Sequence, residues 1–163
     1  MGDGGGKKTF ADALVRMRFR REVVHMGDFR TRIAGDYASV GAARRALRSY
    51  ARLCGFSGDR LDDIETAVGE ALANAAEHGS RGRAIDVCAW LSDDVLHIEI
   101  ADAGPGFPAS ARARMIRPAP AAPRGYGIFL IHALIDDVAY VDGGRRLLLG
   151  KRLPRADGRA ERA

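Results

Sequence analysis

Glu70-Ala-Leu-Ala-Asn-Ala-Ala-Glu-His-Gly79 closes a helical pattern, and two apolar runs follow it, Ala84 to Leu91 and Val95 to Ala101. The pattern is carried by Ile64, Ala67, Val68, Ala71, Leu72 and Ala75, which recur every three or four residues and form one apolar stripe. Gly58 or Asp59 starts the helix, Asp62 and Asp63 suit its positive first turn, and it ends near His78-Gly79. Ser92-Asp93-Asp94 joins the two runs over a hairpin length, so they read as antiparallel strands. Upstream, Tyr37, Val40, Ala43, Leu47, Tyr50, Ala51 and Cys54 mark an earlier helix that Gly55 stops. Before it, Phe29 to Ala34 alternates apolar and polar residues and reads as a strand with one exposed face. Downstream, Gly127 to Leu134 reads as a buried helix, and Val138 to Val141 with Leu147 to Leu153 as a last hairpin around Gly143-Gly144. The stretch Asp102 to Arg124 holds five prolines and cannot be helical throughout, though a short helix fits over Ala109 to Ile116. Strand, helix, helix, strand, strand, helix, strand, strand predicts an α/β two-layer sandwich. Its sheet is mixed and mainly antiparallel, with helices packed on one face.

The 163 residues fit one domain, and 47% hydrophobic content supplies an ordinary core. Residues 29–153 are expected to form it, with a flexible N-terminal segment over 1–28 and a flexible tail over 154–163. No apolar run approaches a membrane span, and Met1 to Lys8 is glycine-rich and polar without an apolar stretch after it. Cys54 and Cys88 lack metal spacing, so they read as reduced thiols filling core space in a cytoplasmic protein. The net charge of +5 raises nucleic acid as a partner. The arginines are scattered over Arg16 to Arg21, Arg44, Arg45 and the tail, and aromatic residues are few, so a solvated surface is the reading adopted.

Three short features carry the chemistry. Glu70 and Asn74 stand four apart, so they project from one side of their helix, beside its apolar stripe and at the rim of the core. A carboxylate there can deprotonate a nucleophile, and an amide oxygen is a hard ligand for Mg²⁺. Taken alone, the pair is an ordinary surface Glu and a helix Asn. His78, four further on, can reach phosphates or a metal, although a His before a glycine more commonly meets the last carbonyls of its helix. Asp102 follows an apolar strand and can accept from an exocyclic amine such as that of adenine, while Gly104 and Gly106 let backbone approach a flat base. An Asp-Gly turn is the plain alternative. Gly125-Tyr126-Gly127 opens a helix, where free N–H groups and the dipole favour phosphate. Arg124 before it can steady transferring charge, or is a loop arginine. Phe107 to Pro123, with Arg112, Arg114 and Arg117, is a lid candidate.

These residues resemble the boxes of the histidine-kinase-like (GHKL) ATPase family. Glu70 and Asn74 match its N box, Asp102 to Gly106 its G1 box and Gly125 to Gly127 its G2 box. Glu70-Ala-Leu-Ala-Asn-Ala-Ala-Glu-His-Gly79 is similar to the pattern of the anti-sigma factor serine/threonine kinases in particular. The resemblance implies a Bergerat-type sheet with ATP between helices and lid. It implies Mg²⁺ on Asn74, adenine read by Asp102, and Glu70 as base. It also implies a homodimer that captures a sigma factor and phosphorylates an anti-anti-sigma (STAS-type) partner, with no direct nucleic acid contact and no membrane. A catalytically inactive ATP/ADP-binding regulatory module is the alternative. Family members often carry Gly-Thr near the last strand, the hydroxyl assisting the adenine site; this chain has Gly144-Arg145.

Overall fold

The computed structural model describes residues 27–80, 83–106 and 126–154. The terminal segments, the lid candidate with its short helix, Arg124 and Gly125 lie outside the described residues.

Strand β1 (Phe29–Ala34) leads into helix α1 (Tyr37–Leu53) and helix α2 (Gly58–Asn74), which a six-residue π-helical segment (Ala75–Ser80) extends. Strands β2 (Ala84–Ser92) and β3 (Val95–Ala101) follow, then helix α3 (Tyr126–Leu134), β4 (Asp137–Val141), a 3₁₀ turn (Asp142–Gly144) and β5 (Arg146–Arg152). The sheet order is β1-β2-β3-β5-β4. Every neighbouring pair is antiparallel, so the mixed character expected from the element order is absent among the described residues.

Local chemistry explains the joints. Asp36 caps α1, accepting from Ser39 N at 2.8 Å and Ser39 Oγ at 2.9 Å. Asp93 and Asp94, both at positive φ (50° and 59°), form the two-residue β2–β3 turn that matches strand twist. Residue parity then sorts the strands. Val87 faces Ile100, Ala89 faces Ile98, and Ile98 faces Leu149 across the sheet; all of them are buried beneath the helices. Leu47 from α1, Ile64, Val68 and Leu72 from α2, and Ile131 from α3 complete that core. Burying such side chains contributes about 1.5–3 kcal/mol each and is the main force holding the layers together. Cys54 belongs to this core, but Cys88 does not: its position on β2 puts it on the opposite face, half-buried, and neither thiol is in a disulfide.

One ionic cluster joins helices to sheet. Lys151 on β5 is buried and donates to Asp63 of α2 at 2.9 Å and to the Leu134 carbonyl at the end of α3. Arg48 of α1 reaches Asp62 (2.8 Å) and Glu65 of α2, although such partly exposed pairs add little stability.

Candidate functional site

A cavity of about 750 Å³ opens between the ends of α2 and α3 and the β3–β5 part of the sheet. Its size is that of a pocket for a nucleotide-sized ligand. Glu70 and Asn74 line it from α2, Asp102 and Gly106 from the end of β3, and Gly127 from the first turn of α3. The three sequence features, spread along the chain from Glu70 to Gly127, therefore meet around one space.

Gly127 sits against the α2 pair. A Cβ there would lie 2.6 Å from Glu70 Oε2 and 3.5 Å from Asn74 Nδ2, so a side chain at this position would push the Glu70 carboxylate aside. The same corner thus holds a carboxylate, an amide and the N-terminal end of a helix.

On the other side, Asp102 is fixed by its neighbours. Its N–H donates to the Arg145 carbonyl at 3.0 Å, and its Oδ1 accepts from Gly104 N at 2.7 Å. Oδ2 has no hydrogen-bond partner among the described residues. Gly79, at the end of the π segment, lies against that carboxylate, and Gly104 lies against Gly79; a methyl group on either would overlap its neighbour. This contact was not legible beforehand. Gly79 reads as a helix stop, and nothing in sequence pairs it with a turn over twenty residues away.

α2 departs from expectation at Asn74. The periodic pattern continues to Gly79 as one α-helix, but the backbone widens into a π turn from Ala75. Such widenings are common at functional sites because they re-aim side chains. His78 lines the cavity and is largely exposed, with Nε2 3.8 Å from Glu77 Oε2. It donates to no carbonyl of its own helix among the described residues.

Further lining residues escaped the sequence reading. Tyr37, the first residue of α1, reaches over the rim and donates to Glu77 Oε1 at 3.2 Å. Ile100, Ile131 and Leu147 supply an apolar wall. Tyr140 and Gly144 also line the cavity; Arg145, where the resembling family often has threonine, is exposed and contributes its backbone carbonyl to Asp102.

The donor set fits Mg²⁺ with a nucleotide. Among the described residues no group of three or more His, Cys, Asp or Glu gathers, so no all-protein metal cage exists there. Mg²⁺ is held typically by one or two protein oxygens together with waters and phosphates, which suits the Asn74 amide oxygen beside an open cavity.

The histidine kinase-like ATPase domain family matches residues 33–151. Among curated proteins, the chain is 32% identical to a serine-protein kinase RsbW of Listeria monocytogenes serotype 4a over 127 residues, 71% of this chain and 80% of that protein. It is 35% identical over 109 residues to the serine-protein kinase RsbW of Oceanobacillus iheyensis, 61% of this chain and 69% of that protein. Among solved structures it is similar to the RsbU and RsbW domains of Rv1364c from Mycobacterium tuberculosis, with a TM-score of 0.59 and 20% identity. That match covers 78% of this chain and 33% of that one, and speaks for the fold. No helix among the described residues is long and apolar enough to cross a membrane.

Proposed function

The chain belongs to the histidine kinase-like ATPase family, and from that membership we propose that it is an ATP-dependent serine/threonine protein kinase and anti-sigma factor of the cytoplasm. It captures a sigma factor and phosphorylates a serine or threonine of an anti-anti-sigma (STAS-type) partner, acting as a homodimer. The observation that carries this reading is the corner where Glu70, Asn74 and Gly127 meet, with Asp102 across the same cavity.

ATP supplies the phosphoryl group; the chain supplies position and charge. Asp102 accepts from the exocyclic amine of adenine, its carboxylate aligned by Gly104 N. Asn74 holds Mg²⁺. Gly127, with Gly125 and Arg124 ahead of it, holds the phosphate end at the α3 N-terminus, and His78 attends it from the rim. Glu70 takes the proton of the attacking hydroxyl. Gly79 and Gly104 keep Asp102 in place without a side chain between them.

Isothermal titration with ATP and ADP, with and without Mg²⁺, tests the site. Mg²⁺-dependent binding in the micromolar range is expected, and no binding overturns the reading. Glu70→Ala is expected to retain ATP binding and lose transfer to the serine of a STAS-type substrate. Retained transfer removes Glu70 as the base. Binding without transfer by the unmodified chain assigns it instead as an inactive regulatory module.

A further inference from the structure

Arg146 opens β5 on the side of the sheet away from the cavity. Leu147 and Leu149 belong to the core under the helices and Leu148 does not, so strand parity puts Arg146 with Leu148. Glu99 of β3 lies on that same side, opposite Leu148. From there the guanidinium reaches two segments at once. Its Nη2 donates to Glu99 Oε1, and its Nη1 donates to Asp142 Oδ2 at 3.2 Å. A planar fork suits this task, because it holds two acceptors in fixed directions.

The two segments so joined are the ones that hold the base side of the cavity. Glu99 belongs to β3, the strand that runs directly into Asp102. Asp142 begins the 3₁₀ turn, and Asp142, Gly143 and Gly144 all have positive φ (51°, 67° and 92°). That backbone is free for glycine and unfavourable for aspartate, so the turn depends on contacts at its first residue. Asp142 is gripped by both of its polar groups. The carboxylate accepts from Arg146, and the carbonyl accepts from Arg145 Nε at 3.1 Å and Arg145 N at 3.3 Å. The turn then delivers three pieces to the site. The Arg145 carbonyl accepts from Asp102 N at 3.0 Å. The Gly143 carbonyl packs on Gly106, where a methyl group would overlap it. Buried Gly144 lines the cavity itself.

We infer that Arg146, from the far face of the sheet, is a positioning residue for recognition of the nucleotide's base. It does not line the cavity; it sets where Asp102 and Gly106 stand. The inference rests on the reading of Asp102 as acceptor for the adenine amine. The phosphate end is placed separately, since Asn74 and Gly127 stand on α2 and α3 and not on this turn. Loss of Arg146 therefore harms recognition of the amine and spares the rest of the nucleotide.

Calorimetry on the full chain with Mg²⁺ tests this by comparing ATP with purine riboside triphosphate, which keeps the ring and phosphates but has no exocyclic amine. The unmodified chain is expected to prefer ATP. Arg146→Gln is expected to weaken ATP binding about tenfold or more while purine riboside triphosphate binding stays nearly fixed, so the preference disappears. Arg146→Lys keeps the charge without the fork and is expected to fall between. Arg146→Gln also takes a counter-charge from Glu99, whose side chain is only 12% exposed, so a second variant guards against misfolding. Asp142→Asn keeps the Arg146–Glu99 pair and a residue tolerant of positive φ, and is expected to lose part of the same preference. A preference for ATP retained in Arg146→Gln overturns the inference, whether the two affinities stay fixed or fall together. Where Arg146→Gln does not fold, a preference retained in Asp142→Asn overturns it. An unmodified chain that binds neither nucleotide, or both alike, overturns the reading of Asp102 and this inference with it.

Discussion

Helices α1 and α2 have the same length, 17 residues, and pack on each other, yet their ends are built for different purposes. α1 is closed by its own residues. Asp36 caps the start, and at the finish Phe56 N donates to the Ala51 carbonyl at 3.1 Å and Gly55 N to the Arg52 carbonyl at 3.0 Å, with Gly55 at φ 103°. Phe56, 1% exposed, seals that end. α2 has no side-chain cap bond from Ser57, and its last turn widens into a π segment that carries Glu77, His78 and Gly79 to the cavity. One helix spends its ends on stability and the other leaves an end open where a ligand enters. Irregularity in this fold therefore marks the place where chemistry is expected.

The contrast can be broken most severely at Asn74. Asn74→Ala is expected to abolish Mg²⁺-dependent ATP binding in calorimetry while the urea midpoint stays nearly fixed, because the residue lines the cavity and not the core. Unchanged affinity in that variant would remove Asn74 from the site. Gly79→Ala comes next. Its methyl group meets the Asp102 carboxylate, so ATP affinity is expected to fall at least about tenfold, roughly 1.4 kcal/mol. Wild-type affinity would show that Asp102 is free to move aside. At the matching end of α1 the sign of the experiment reverses: Gly55→Ala is expected to cost about 1 kcal/mol in urea unfolding, through its positive φ, with ATP affinity intact. A loss of ATP affinity there would couple the two helix ends.

The smallest effect lies in pH. Burial lowers the pKa of His132 below its ordinary 6.5, and that of His97 likewise. The unfolded chain protonates these groups near 6.5 while the folded chain resists, so their contribution is full above 6.5 and is lost as pH falls toward the lower folded values. His132→Phe is expected to flatten the decline in urea midpoint between about pH 7.5 and about pH 5.5. A decline as steep as in the unmodified protein would leave His97 or other groups as its source.

Much of this was legible in sequence because the signals are local. The stripe from Ile64 to Ala75, the alternation in β1 and the Asp93-Asp94 turn each depend on residues within a few positions, and each element formed where expected. Boundaries moved by a residue where caps decide them, α3 starting at Tyr126 and β4 at Asp137. The antiparallel pairing throughout was only partly readable, since strand order depends on which edges meet. The illegible parts are contacts between distant segments: Gly79 on Asp102, Tyr37 on Glu77, and Lys151 between Asp63 and Leu134. A single chain carries no periodic trace of such pairs. Cys88 was misplaced in the core for a related reason, because a small half-buried residue on a strand fits either face until the register is known.

The tight Asp93-Asp94 turn also has a consequence in time. β2 and β3 can zip together from that turn at almost no loop cost, whereas β1 meets β2 only after the chain from Ala34 to Ala84 has folded back. The cavity walls come from Tyr37 at one extreme and Leu147 at the other, so no early fragment of the chain contains them together. A nucleotide that fits this cavity can therefore recognise only the finished molecule. Every bound nucleotide then withdraws material from the folded side of the equilibrium alone, and the concentration of its ligand becomes a setting for how long the whole chain survives.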